Sequence, residues 1–261
     1  MSIPYYQVDA FTGSLFSGNP AGVAILIDWI SEEWMQSIAA ENHLAETAFV
    51  VPRGGCFDLR WFTPEMEVDL CGHATLAAAH VLFTHLGYRK VSIDFHTRSG
   101  LLPVTRSENL LTLDFPSRPA EECEVPDLLS EGLGSVPVEV RKARDYLAVF
   151  ESESIVRELR PRMDVLSKLS CLGIIATAPG YSCDFVSRFF APAAGVPEDP
   201  VTGSAHCTLI PYWSKQLKKS QLHALQVSRR GGELFCSERG ERVAISGRAI
   251  TYSTGYLHVG T

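Results

Sequence analysis

The chain has 261 residues, 46% hydrophobic and 20% charged, a make-up that excludes a disordered or fibrous protein. Its 23 basic and 30 acidic residues leave a net charge of −7 with no basic stripe, which argues against a nucleic-acid partner. No run nears the ~18–20 apolar residues of a membrane span, and the opening MSIPYYQVDAF lacks a signal-peptide pattern. A cytoplasmic protein with no membrane partner is the expectation.

Short strand-like runs fill the first half: 5–11, 22–27, 47–51, 57–62, 91–96, 101–105 and 110–115. Two helices interrupt them. The first follows Ser31, an N-cap before Glu32 and Glu33, and runs towards His43. The second spans Gly72 to Leu86, with Gly87 as its stop. Between Ala74 and Phe83 only Thr75 and His80 are polar, too few for a wet face. A helix apolar all round must be buried on all sides, so a sheet curved around it is predicted. The stretch 116–137, rich in Pro, Glu and Ser, reads as a linker with a short helix. Strands follow at 138–142, 146–150, 174–177 and 184–190, then a helix from Gly203 towards Lys215 that carries Pro211. A hairpin over 233–245 and a last strand over 250–258 complete the list.

Seven cysteines without a C-x-x-C pair predict free thiols. Eight histidines without H-E-x-x-H spacing give a metal site no support, and no Gly-rich phosphate signature calls for a nucleotide. No metal and no cofactor are expected.

The length permits one large domain or two small ones, and an internal repeat favours two. Phe57-Asp-Leu-Arg60-Trp61-Phe62-Thr63-Pro64 matches Phe185-Val-Ser-Arg188-Phe189-Phe190-Ala191-Pro192. After each comes an acidic loop and a helix start: Glu67-Val-Asp69-Leu-Cys71-Gly72-His73-Ala74 and Glu198-Asp199-Pro-Val-Thr202-Gly203-Ser204-Ala205. The arginines stand 128 residues apart and the glycines 131. Each copy places a helix N-terminus, with its free N–H groups, after an acidic loop, an arrangement that favours an anion. Two such ends facing one cleft can clamp a carboxylate and present acid/base groups on either side of a carbon. Arg60 and Arg188 read as structural, Asp69 as a loop cap and His80 as a satisfied core residue.

These residues also carry a family resemblance. Asp9-Ala-Phe-Thr, Gly18-Asn-Pro-Ala-Gly-Val23, Leu44-Ala-Glu46-Thr-Ala-Phe49, Arg60-Trp-Phe-Thr-Pro64, Cys71-Gly-His-Ala-Thr75, Arg188-Phe-Phe-Ala-Pro192, Asp199-Pro-Val-Thr-Gly-Ser204 and Arg230-Gly-Gly-Glu233 span nearly the whole chain. In this order they resemble the phenazine-biosynthesis F-type (PhzF-like) isomerases of the diaminopimelate epimerase-like superfamily. The resemblance implies an α+β protein of two pseudo-symmetric domains, each a mostly antiparallel curved sheet wrapped around a central helix. The expected division is 1–116 plus 250–261 against 117–249, because the final strand returns to the first domain. It further implies a homodimer and cofactor-independent proton transfer on a small carboxylic acid.

Carried over by position, Glu46 matches the family's proton-shuttling glutamate, with His73 and Asp199 as further catalytic residues. Gly72, Gly203, Ser204 and Cys71 are expected to bind substrate. The chain departs from the family in one place: Ala45 stands where Ser commonly precedes the glutamate, a change that bears on substrate identity or turnover. Related two-cysteine racemases carry a cysteine before each glycine; here Cys71 precedes Gly72 but Thr202 precedes Gly203. A threonine hydroxyl is far too weak an acid for that role. Two alternatives stay open: a one-cysteine racemase or epimerase using Cys71, and a non-catalytic small-molecule-binding protein on the same scaffold.

Overall fold

The computed structural model describes residues 1–260. Contacts divide the chain into two compact units, Met1–Asp114 with the segment from Ser246 onward, and Phe115–Ile245. Each unit mixes sheet with few helices, an α+β fold.

The first unit contains β1 (Ser2–Ala10), β2 (Asn19–Ile25), α1 (Glu32–Asn42), β3 (Glu46–Arg53), β4 (Cys56–Phe62), β5 (Glu67–Val68), α2 (Gly72–Thr84), β6 (Ser92–Thr97), β7 (Gly100–Ser107) and β8 (Leu110–Pro116). Period-2 patterning sets the strand faces: in β6, Ile93 and Phe95 are buried while Asp94 and His96 point outward. Ser31 caps α1 as expected, its hydroxyl accepting from the Trp34 amide at 3.3 Å. From His73 to Phe83, α2 is buried at every residue except His80, and it packs on β1, β2 and β3. Its last regular residue is Thr84, two short of the expected Leu86. The His85 and Leu86 amides both turn back to the Val81 carbonyl, and Gly87 takes φ +64°, which ends the helix. His80 bonds Thr251 Oγ1 at 3.0 Å, and burial lowers its pKa to about 4, so it is a neutral packing residue.

The second unit contains β9 (Glu121–Glu122), α3 (Asp127–Leu133), β10 (Glu139–Lys142), β11 (Tyr146–Val149), α4 (Glu153–Glu158), α5 (Met163–Leu166), β12 (Ile174–Pro179), β13 (Phe185–Ala191), β14 (Val196–Asp199), α6 (Gly203–Leu217), β15 (Gln221–Gln226), β16 (Gly232–Arg239) and β17 (Arg242–Gly247). The short elements α4, α5, β14 and β15 lie outside the sequence reading. Helix α6 packs on β15 and β16, and Trp213 Nε1 donates to the buried Thr177 hydroxyl at 2.9 Å. The last strand, β18 (Ala249–His258), pairs antiparallel with β1 and so belongs to the first unit.

Both units run through one order of pairings. In the first, β1–β2 is antiparallel, β2–β3 parallel, β3–β4 antiparallel, β4–β5 antiparallel, β4–β6 parallel and β6–β7 antiparallel. In the second, β10–β11, β11–β12, β12–β13, β13–β14, β13–β15 and β15–β16 repeat that series in the same sense. The repeated arginines play matching parts. Arg60 grips Glu67 with two bonds of 2.7 Å, and Arg188 grips Glu198 at 2.7 and 2.9 Å. Arg188 also donates to the Val156 and Leu159 carbonyls. Both are structural, as the sequence predicts.

The shared register makes one asymmetry explicit. Arg60 pairs with Phe49, and Arg188 with Ala176. Three residues before Phe49 stands Glu46; three before Ala176 stands Gly173. A Cβ on Gly173 would lie 2.3 Å from the Phe189 ring, so that ring fills the place of a side chain. Gly173→Ala is therefore expected to cost about 1–3 kcal/mol through overpacking. Urea unfolding measures this, and Phe189→Leu in the same chain should restore part of the loss; equal stability of Gly173→Ala and the parent would contradict it.

Candidate active site

One residue from the start of β3 and two from the head of α2 meet at the N-terminus of α2. Glu46 is the first residue of β3, not part of a helix end, and parallel pairing sets it beside Ala21 of β2. Cys71 is the N-cap of α2, and His73 lies in the first turn. The Thr75 hydroxyl bonds the Cys71 carbonyl at 2.6 Å and fixes this corner. The His73 ring stands between the two others: Nδ1 lies 3.5 Å from Cys71 Sγ, and Nε2 lies 3.1 Å from Glu46 Oε2.

Asn19 completes the cluster, with its Nδ2 3.3 Å from His73 Nδ1. Asn19 stands in the Gly18–Val23 motif, where its sequence context alone assigns it no role. The turn before it demands glycine, because Gly18 has φ +67° and a Cβ there would meet the Ala10 carbonyl at 2.2 Å. An imidazole protonated on both nitrogens donates on both sides, so Asn19 must then turn its amide oxygen to Nδ1.

Burial gives this cluster its chemistry. His73 is 5% exposed and Cys71 6%. Burial opposes charge on His73, but the Cys71 sulfur and the Glu46 carboxylate outweigh it and raise its pKa well above the ordinary imidazole value. Burial first, then the Glu46 charge, push the Cys71 thiol up, with His73 pulling weakly the other way. Burial and the Glu46 charge thus favour the protonated thiol on Cys71. Glu46 Oε2 and His73 Nε2 are both buried and face each other as an ion pair.

The second unit builds a different corner at the start of α6. Thr202 is the N-cap, and its hydroxyl donates to Asp199 Oδ2 at 2.5 Å. Gln226, 1% exposed, accepts from the Thr202 amide at 2.9 Å and donates to the Asp199 carbonyl at 2.8 Å. His206 Nδ1 lies 2.9 Å from the Thr202 carbonyl, the part that Thr75 plays in α2, and burial lowers its pKa to about 4. The Ser204 hydroxyl accepts from Arg144 at 3.0 Å, and Arg144 in turn holds the buried Asp145. Asp199, Gly203 and Ser204 therefore share one helix start, while Glu46, Cys71, Gly72 and His73 share another. Gln226 and Arg144 lie outside the sequence reading; their partners are 24 and 60 residues away, beyond any local signal.

The sequence spacing supports no metal site, yet the fold gathers a carboxylate, a thiol and an imidazole whose donor atoms lie within 4.8 Å of one another. No helix among the described residues is long and apolar enough to cross a membrane.

Two outcomes follow from the charges. Ring-proton NMR at pH 7 should find His73 doubly protonated and both His80 and His206 neutral. Because the folded pKa of His73 is raised, its stabilisation is complete below about 6.5. It is lost as pH rises through the folded value. Iodoacetamide should modify Cys71 slowly at pH 7 and faster with rising pH, and Glu46→Gln should speed the reaction by removing the neighbouring charge; peptide mass spectrometry reads the rates. A rate in the variant equal to that of the parent would contradict this account.

A family model described as "Phenazine biosynthesis-like protein" matches residues 8–255. A Pseudomonas aeruginosa protein named "uncharacterized isomerase" is 51% identical over 99% of this chain and 100% of its own. A crystal structure of a PhzF-family phenazine biosynthesis protein from Enterococcus faecalis superposes with a TM-score of 0.98 at 46% identity, covering 99% of this chain and 100% of the other. A probable proline racemase from Agrobacterium radiobacter, 10% identical with a TM-score of 0.68, shares the fold; it covers 99% and 93% of the two chains. The match over nearly the whole length, at that identity, makes this chain a member of the phenazine biosynthesis-like, or PhzF, protein family.

Proposed function

We propose that the protein is a cofactor-independent isomerase that moves a proton between carbons of a small carboxylic acid. The observation that carries this reading is the Glu46–His73 pair, 3.1 Å apart and largely withdrawn from solvent at the head of α2. Membership of a family in which a relative at 51% identity is named an isomerase supports it.

In this mechanism the Glu46 carboxylate removes a proton from a carbon next to a carboxylate or conjugated system. The bonding pair spreads into that system, and Glu46 returns the proton at a second carbon. The imidazolium of His73 stays beside the reaction and steadies the negative charge that develops on the substrate. Gly72 presents backbone amide at a helix start, and we assign Asp199, Gly203 and Ser204 to substrate binding and polarisation. The repeated series of strand pairings supports the division into duplicated domains at 1–116 plus 250–261 and 117–249. The second copy carries Gly173 where the first carries Glu46.

A second reading, racemisation through Cys71, draws on the 3.5 Å contact between its sulfur and His73 Nδ1. The raised thiol pKa weighs against it.

A screen of small carboxylic acids in D₂O, followed by proton NMR, tests the proposal. On the substrate so found, Glu46→Gln should lower isomerisation by about 10²–10⁴-fold, and Cys71→Ala should leave it measurable. Full deuterium exchange by Glu46→Gln would overturn the proposal. Complete loss in Cys71→Ala, with Glu46→Gln still active, would establish the second reading instead.

A further inference from the structure

We propose that the first unit carries a second binding site, for a small apolar α-amino acid, in the cavity between the last turn of α2, the β7–β8 hairpin and the start of β18. The site contains no residue assigned to the proposed isomerisation and stands independently of it.

Place is the first argument. The cavity has a volume of about 180 Å³, and Phe83, Leu111 and Ala249 give it apolar walls. Pockets for drug-sized ligands run to roughly 300–1,000 Å³, so this one takes a smaller molecule. Phe83 follows His73 by ten residues on one helix, which at the α-helical rise puts about 15 Å between the cavity and the candidate active site.

Charge is the second argument. Arg106 lines the cavity half-buried, with its guanidinium over the Phe83 ring, 4.4 Å from the centroid. Stacking uses the flat face of the group and leaves its N–H edge open to a ligand. Among the described residues, no hydrogen bond or ion pair reaches that edge. Glu108, two residues on, lines the same cavity, and its carboxylate has no such partner either. A cation and an anion therefore face one cavity without joining each other. A carboxylic acid satisfies only Arg106, and an amine satisfies only Glu108. An amino acid satisfies both: its carboxylate accepts from the forked N–H edge, and its ammonium donates to Glu108.

The hairpin is the third argument. Ser107 pairs with Leu110, so Glu108 and Asn109 form a two-residue turn. Glu108 takes φ +53°, in the left-handed region that such turns give to Gly, Asn or Asp. Glutamate is costlier there than glycine, and here it sets a carboxylate beside the cavity. His80, also in the wall, adds no rival charge, because Thr251 holds it at 3.0 Å and burial lowers its pKa to about 4.

The test titrates the whole nitrogen-15-labelled chain with L-alanine, L-valine and L-leucine at pH 7, followed by amide NMR. At least one should saturate, shifting the amides of residues 83–84, 106–111 and 249. The matching fatty acid and amine (4-methylpentanoate and 3-methylbutylamine for leucine) should each bind at least about tenfold more weakly. Arg106→Gln should weaken the amino acid by at least about tenfold. Glu108→Gln, in an exposed turn that tolerates the change, should do the same without weakening the fatty acid. No saturable shift with any of the three, or shifts confined to residues 71–73, overturns the site. So does a fatty acid that binds as tightly as its amino acid, or an amino-acid affinity unchanged in either variant.

Discussion

The burial of α2 is the constraint from which the rest follows. A helix with no polar face has no stable place at a surface, so the first unit is built around it, with β1, β2 and β3 packed on its flanks and β18 closing over it. That packing holds the helix by its sides and leaves its N-terminal corner to end beside the start of β3. Cys71, His73 and Glu46 meet there because of where the helix must lie; exclusion of water pushes the Cys71 thiol up, while its neighbours raise the His73 imidazole against that same burial.

The second unit shows what happens when the same plan is kept and the chemistry is not. Its arginine, its acidic loop, its N-cap and its run of pairings all have counterparts in the first. At three points the side chains diverge: Thr202 for Cys71, Ser204 for His73, and Gly173 for Glu46. The last is the most severe, because Phe189 fills the volume a side chain would need. The position has been given to packing.

Much of this was legible in the sequence, for physical reasons that can be named. Helix α2 announces itself by an apolar run too long and too uniform for a strand, and Ser31 by the acids that follow it. The two arginine motifs are legible because an ion pair that grips a loop must keep its spacing. The shorter elements are not. Helices α4 and α5 have six and four residues, too few to establish a period. Strand β15 buries Leu222, Ala224 and Gln226 in alternation, and a polar residue in the third inward position hides the pattern. Asn19, Arg144 and Gln226 act through partners supplied by other elements. Only the fold reveals them.

The return of β18 to the first unit has a consequence for the order of assembly. Strand β1 lies between β2 and β18, so until residues 249–258 exist one of its edges has no partner. The ribosome delivers the whole second unit before it delivers that strand. The second unit can therefore condense while the first waits, half-sheeted, for its closing strand. The helix that carries the cluster is encoded early in the chain, but the sheet around it gains its last strand late in synthesis.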